Sequence, residues 1–395
     1  MTGLARAARN GAEIQAAAAQ WADEAIAIRH DLHRHPELAF AEHRTRERIA
    51  SLLSGWGYAV TTDVGGTGVV GTLRKGTGDK ALGLRADIDA LPVTEANDDA
   101  LASGTPGRMH ACGHDGHTAI LLAAARDLAV NGKFSGTLNL IFQPAEEIGQ
   151  GARSMIADGL FERFPCNAIF GLHNWPGLPA GRFGFVEGPA MASVDWAGID
   201  IIGKGGHGAA PHETVDPVVV AAHLVTALQT IVSRNVDPLD AAVITVGSIH
   251  GGEAANVIPD SVELKITIRT FRPEVRALLQ QRIPALAHSL ANSFGAKAEV
   301  DYRLGFPSVV NHMAETHFAR SVALDLFGAQ GVIEDLRPRT ASEDFAFLLE
   351  ERPGCFLFLG TGEGEPLHSP RYRFNDAVIA PAAAYWARLA ETFLS

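Results

Sequence analysis

Ala81-Leu82-Gly83-Leu84-Arg85-Ala86-Asp87-Ile88-Asp89-Ala90-Leu91-Pro92-Val93 is an apolar run that turns acidic towards its end. A buried strand closing on two aspartates is how an α/β sheet delivers side chains to a crevice at its edge. The same pattern recurs outward along the chain. TAILLAAARDLAV (118–130) has the apolar spacing of a helix, and TLNLIFQPAEE (137–147) reads as a strand with Glu146 and Glu147 at its tip. A helix over roughly 151–158 follows, then NAIFGLHNWP (167–176) as a strand with His173 at its end. Strand and helix alternate while polar residues gather at strand ends, which predicts an α/β domain with its site along one sheet edge.

Upstream, helical spacing runs from about Ile14 to Leu32, Pro36 ends it, and a second amphipathic segment covers Thr45 to Leu53. YAVTTDV (58–64) and GVVGTLRKG (68–76) read as short strands joined by a glycine turn. Downstream the character changes near 184–195. DWAGIDIIGKGGH (195–207) alternates, a helix spans 217–232, strands cover 241–249 and 255–270, a helix covers 272–291, and KAEVDYRL (297–304) closes the run. That is a compact α+β domain over 188–303, inserted into a larger domain made of 1–187 and 304–395. The larger domain resumes with a helix near 312–327, the strand CFLFLG (355–360) and a last helix over 380–393.

The chain has 395 residues, enough for two domains, and its composition is 47% hydrophobic and 20% charged, as in ordinary globular proteins. Net charge is 33 − 45 = −12, with no basic run suited to nucleic acid or an anionic membrane. Cys112, Cys166 and Cys355 are odd in number and far apart, so no disulfide framework is indicated and a reducing, cytoplasmic setting is expected. The N-terminal stretch lacks the apolar core of a signal peptide. Pro217 to Val232, the most apolar long window, is too short to span a bilayer.

MHACGHDGHT (109–118) packs one thiol, three imidazoles and a carboxylate into ten residues. These side chains bind divalent metals. Cys112 and His114 lie two apart, which suits an extended or loop geometry before a helix beginning near Thr118; spacing alone does not decide which of His110, His114 and His117 ligate. At Glu146-Glu147 a turn is needed to bring adjacent carboxylates to one place, where one can ligate a metal and the other serve as general base. His173 and His368 are further candidates, and Asp87 and Asp89, ending the strand LGLRADIDALP, are candidates to face the same crevice.

The motifs LRADIDALP, MHACGHDGHTA, IFQPAEE, GLHNWP, GKGGHGAAPHETVDPV, ANVIPD, SEDFAFLL and LHSPRYRFND follow one another along the chain, and the likeness they carry extends over almost its whole length. In this the sequence resembles the metal-dependent aminoacylase and carboxypeptidase family, within the amidohydrolases that include hippurate hydrolases, N-acyl-amino-acid hydrolases and plant auxin-conjugate hydrolases. The resemblance implies a zinc-exopeptidase-like catalytic domain with a central mixed sheet flanked by helices, and an inserted lid or dimerisation domain. It implies two divalent metals (zinc, manganese, cobalt or nickel) held by Cys112, His114, Glu147, His173 and His368, with Glu146 as general acid/base. Cys112 stands where many relatives have a bridging aspartate, and Asp87 where others have a histidine. His207 would reach the substrate carbonyl, often in the partner subunit's site, and Asn256 would be a second substrate contact. Asn256 and Arg269 are candidates for the carboxylate of the amino-acid product. The expected activity is hydrolysis of small N-acyl amino acids by a homodimer or homotetramer, the alternative being a metallo-dipeptidase or carboxypeptidase. Two rivals remain on the residues themselves: a cysteine hydrolase using Cys112, and a binding protein that kept the fold without catalysis.

Overall fold

A computed structural model describes residues 9–395. Residues 1–8, where the N-terminal stretch read as leaderless begins, lie outside the described residues. The chain divides into two compact units. The first runs to Gly188 and resumes over Val310–Arg337 and Asp344–Ser395; the second is Pro189–Val309 with Pro338–Glu343. An insertion over 188–303 therefore ends too early and omits a return. Arg339 exchanges backbone hydrogen bonds with Ala190 and Ala192, at 2.9 and 3.0 Å, and this sews 338–343 onto the second unit. So short a segment has no periodicity to announce the pairing.

The first unit is built on an eight-stranded mixed sheet. Its order is Ala59–Val64, Gly68–Lys75, Gly136–Gln143, Ala81–Asp87, Ala168–Trp175, Gly354–Gly360, Phe183–Gly184, Val332–Ile333. The four strands from Gly136–Gln143 to Gly354–Gly360 run parallel. Every residue of Ala81–Asp87 and of Gly354–Gly360 is buried, as expected where helices cover both faces.

The helix His114–Val130 is buried along almost its whole length and packs against Ala22–Arg34 and Ile379–Phe393. Alanines at 119, 123, 124 and 125 permit that close approach. Arg9 clamps this layer: its guanidinium grips Asp127 at 2.8 and 2.9 Å, and its Nε donates to Glu391 at 2.9 Å. The expected single helix over 14–32 is two, Gly11–Gln20 and Ala22–Arg34, separated at Trp21.

The second unit has a four-stranded antiparallel sheet, ordered Ala242–His250, Ser261–Thr270, Ser193–Ile202, Lys297–Leu304, with helices Pro217–Asn235 and Pro273–Ser293. Alternate residues Ala197, Ile199 and Ile201, with Leu264, Ile266 and Ile268, join those helices in one core. Pro217–Asn235 runs three residues past the expected end at Val232. By length and composition it suffices to cross a membrane, a correction to the reading above. Its Val220, Ala221, Leu224, Leu228 and Ile231 are nonetheless buried in the unit's core.

Candidate metal centre

Three parallel strands end side by side and supply most of the site. Past Asp87 the chain stays in step with its neighbour through Ile88 N–H to Gln143 O, at 3.0 Å. Asp89 then works in two directions. Its carboxylate accepts the Glu147 amide at 3.0 Å, and its backbone carbonyl lies 2.9 Å from Nδ1 of His114. A carbonyl only accepts, so that nitrogen carries a proton in either charge state, and Nε2 of His114 is the atom left to ligate once a cation displaces its proton. His173 is fixed in the same way: its Nδ1 donates to Asn174 O at 2.7 Å, leaving Nε2 to face Sγ of Cys112 at 3.4 Å.

The turn between Cys112 and His114 depends on Gly113, whose φ is +91°. A Cβ there would fall 2.6 Å from Asn174 Oδ1 and 2.8 Å from the Tyr372 hydroxyl. With that turn the helix starts at His114, four residues earlier than expected, so His114 and His117 share its first turn. His117 has both nitrogens engaged. Nδ1 is 2.5 Å from Asp87 Oδ1, and Nε2 accepts the Asn174 amide at 3.1 Å. His110 is buried beside His33, ring centroids 6.4 Å apart, and belongs to no donor set among the described residues.

The strand carrying Glu146 and Glu147 ends at Gln143. Ala145 then adopts a left-handed φ of +51°, and the turn closes with Gly149 N–H on Glu146 O at 2.7 Å. The helix Gly151–Ala157 begins against this turn: a Cβ at Gly151 would sit 1.6 Å from the Pro144 carbonyl oxygen. Gly151→Ala must therefore displace backbone. Its expected cost is about 2–4 kcal/mol, read as a lower denaturation midpoint, with weaker metal retention. His368, at φ +67°, is anchored by its amide to Ala111 O at 2.8 Å, and its Nε2 lies 3.7 Å from Glu147 Oε2.

Beside Asp87/His114/His117, where His117 already contacts Asp87 at 2.5 Å, two sets of three donors meet at Cys112: Cys112/His114/His173 and Cys112/Glu147/His368. Within each, the ligand atoms lie within 4.8 Å of one another, and Cys112 is common to both. Glu146 joins His114 and Glu147 in a further group. The five sequence-derived ligands and Glu146 are thus brought together. Their chemistry fits divalent cations: Nε2 of His114 and Oε1 of Glu147 are buried without hydrogen-bond partners, which is costly unless something electrophilic meets them.

The electrostatics agree. Burial pushes the Cys112 thiol well up, and Glu147, Glu146 and Asp87 push it further. Burial also lifts Glu147 to about 7 despite the opposing pull of His114. Burial would lower His114, yet Asp87, Glu147 and Asp89 raise it to about 10. Acids crowded this closely favour a positive charge among them, and a divalent cation meets that demand while freeing thiolate and imidazole to ligate.

His207 and Asn256 lie in the second unit and come together there on a two-stranded ribbon. His207 pairs with Val257, and Gly208 N–H donates to Asn256 O at 2.8 Å. Both side chains are exposed. Nδ1 of His207 accepts the Ala209 amide at 3.0 Å, so its neutral ring carries the proton on the outward Nε2. Arg269 is not on that ribbon. It sits half-buried on Ser261–Thr270, with its guanidinium donating to the Ser342 hydroxyl.

Sequence reasoning missed the supports. Arg85, fully buried, donates to Asp87, Gln143 and Asp344 at 2.7, 2.9 and 3.1 Å. Asn174 donates to the Tyr372 hydroxyl at 2.6 Å. An arginine inside an aliphatic strand was the one available signal, because a buried guanidinium demands acidic partners.

Sequence and structure comparisons point the same way. The chain is 43% identical over 367 residues to a hippurate hydrolase of Campylobacter jejuni, covering 93% of this chain and 96% of that protein. It is 42% identical over 370 residues to an N-acetyl-L-cysteine deacetylase of Bacillus subtilis, covering 93% and 88%. A crystal structure of a dinuclear metal-binding peptidase from Bacillus subtilis superposes with a TM-score of 0.83 at 34% identity, covering 95% of this chain and 99% of that one. The model of peptidase family M20/M25/M40 matches residues 83–392, a span holding every donor described above, and to that family this chain belongs.

Proposed function

We propose that the chain is a metal-dependent amidohydrolase that cleaves the amide bond of N-acyl amino acids. The observation that carries this reading is the pair of donor sets sharing Cys112 with Glu146 alongside. Residues Cys112, His114, Glu147, His173 and His368 would hold two divalent cations, and a thiolate–imidazole–carboxylate set suits zinc, manganese, cobalt or nickel. When bound, these cations would supply Lewis acidity, polarising the scissile carbonyl and acidifying a water.

The remaining chemistry belongs to the chain. Glu146, as carboxylate, takes the proton of the attacking water and returns it to the leaving amine. The protonated Nε2 of His207 is suited to donate to the developing oxyanion. Asn256 and Arg269 are the proposed partners of the product carboxylate. Arg269 fits because it is half-buried, which lowers its pKa, and its guanidinium donates to an uncharged hydroxyl, that of Ser342. The similarity to a hippurate hydrolase and an N-acetyl-L-cysteine deacetylase supports small acyl-amino-acid substrates over peptides. A homodimer or homotetramer is the proposed assembly. The cytoplasm is the proposed location, which three free, buried cysteines support.

Chelation tests the reading. On a panel of N-acetyl, N-benzoyl and indole-acyl amino acids with dipeptide controls, hydrolysis is expected to fall to background after metal removal and to return with one of the four ions. Turnover that survives chelation would instead make Cys112 a nucleophile, and preferred cleavage of dipeptides would favour a metallo-dipeptidase or carboxypeptidase. Full metal loading with no hydrolysis anywhere on the panel would leave a binding protein.

A further inference from the structure

Glu42 belongs to neither donor set and lies outside the span matched by the family model, yet it is fully buried where the helix His43–Gly55 begins. Its Oε1 accepts the backbone N–H of Ala145, 103 residues later, at 2.9 Å. Its Oε2 accepts the hydroxyl of Thr67. That hydroxyl stands on the hairpin turn between Ala59–Val64 and Gly68–Lys75, which packs on the same turn as Ala145: a Cβ at Gly68 would lie 3.2 Å from Pro144 Cδ.

Ala145 is the residue that needs holding. Its φ of +51° lies in the left-handed region that residues with a Cβ rarely occupy. On a continuing strand Glu146 and Glu147 would point to opposite faces. The left-handed step is what brings both into one group with His114. Alanine has no preference for that conformation, so the surroundings must impose it. The Ala145 carbonyl is held by the amides of Gln150 and Gly151, at 3.3 and 3.2 Å, and its N–H by Glu42.

We infer that Glu42 is a positioning residue, which holds Ala145 in its left-handed turn and thereby sets Glu146 and Glu147 relative to one another. The inference rests on the roles proposed above for those two carboxylates. Burial pushes the Glu42 carboxyl up to about 7. Protonated or not, it retains an oxygen for the Ala145 amide, so its task does not depend on its charge and a glutamine can perform it.

The test uses full-length protein carrying Glu42→Ala or Glu42→Gln, each also combined with Ala145→Gly. Three quantities are read: Zn2+ affinity of the metal-free protein by chelator competition, kcat and KM on an N-acyl amino acid, and Tm. Glu42→Ala is expected to weaken Zn2+ binding and lower kcat by about 10–100-fold, with KM within roughly threefold. Glu42→Gln should restore both to within about threefold, because the amide acceptor is regained. Glycine takes a positive φ without penalty, so in the Ala145→Gly chain the Glu42→Ala loss should shrink below about fivefold.

An equal loss in both backgrounds, or a glutamine as damaging as alanine, overturns the inference. Should Glu42→Ala not fold, Ala145→Val probes the same turn, since a β-branched residue resists positive φ; unchanged Zn2+ affinity and kcat in that variant overturn it as well. If the parent hydrolyses no acyl amino acid, the functional reading falls while the Zn2+ measurements still decide the role of Glu42.

Discussion

Glu146→Gln is expected to lower kcat by about 10²–10⁴-fold, the usual contribution of a positioned general acid/base, while metal content and Tm stay near those of the parent. Glutamine matches the shape of glutamate and keeps a carbonyl oxygen, but it cannot take a proton from water at neutral pH. Glu146 is nearly buried, and its backbone is fixed by the Gly149 amide at 2.7 Å, so the substitution should leave the turn intact. The two donor sets that share Cys112 have their members elsewhere, at Cys112, His114, Glu147, His173 and His368. Metal analysis beside steady-state kinetics separates the two effects. A variant that keeps its metal and its turnover would remove Glu146 from the mechanism; one that loses metal would make it a ligand.

The second large effect concerns stability. Asp115 follows His114 in the first turn of the central helix and is fully buried. Its Oδ2 lies 3.0 Å from the Arg29 guanidinium and 2.9 Å from Nδ1 of His33. Burial alone would raise its pKa, but His33 and Arg29 outweigh that and hold it far below the usual carboxylate range. Asp115→Asn leaves a buried arginine and histidine short of a counter-charge, at an expected cost of about 3–5 kcal/mol.

The pH dependence gives a signature. Burial opposes protonation of His33, yet Asp115 and Glu95 raise its pKa from 6.5 to about 9. A folded-state pKa above the unfolded one adds stability that is complete below about 6.5 and disappears as pH rises through about 9. Denaturant midpoints of the parent should therefore fall between pH 6.5 and 9, and those of Asp115→Asn should fall much less. Parallel slopes for the two proteins would place the His33 coupling elsewhere.

The parts of the site that could be read from sequence are those carried by regular elements. Asp87 and His173 lie at the ends of apolar strands and Glu147 just past one, and a continuous apolar run giving way to polar residues announces both the buried strand and its end. The parts that stayed hidden depend on single backbone angles or on distant partners. Gly113 moves the helix start to His114 through one left-handed residue. Ala145 is a residue whose type gives no hint of its positive φ. Glu42 and Arg85 act through contacts 103 and 259 residues away in the chain, which no local pattern encodes. The return of 338–343 to the second unit rests on a few backbone hydrogen bonds and no side-chain signature.

The loop bearing His368 has a consequence for how the protein is made. Cys112, His114, Glu147 and His173 emerge from the ribosome early, but His368 follows 195 residues later (368 − 173), after the whole second unit. At about 5–20 residues per second, some 10–40 s separate synthesis of the first four donors from that of the fifth. Through that interval the nascent chain carries Cys112/His114/His173 complete and Cys112/Glu147/His368 lacking its last member. On the ligand set proposed above, the reading direction of the gene thus makes the donors of the first position available before the second is complete.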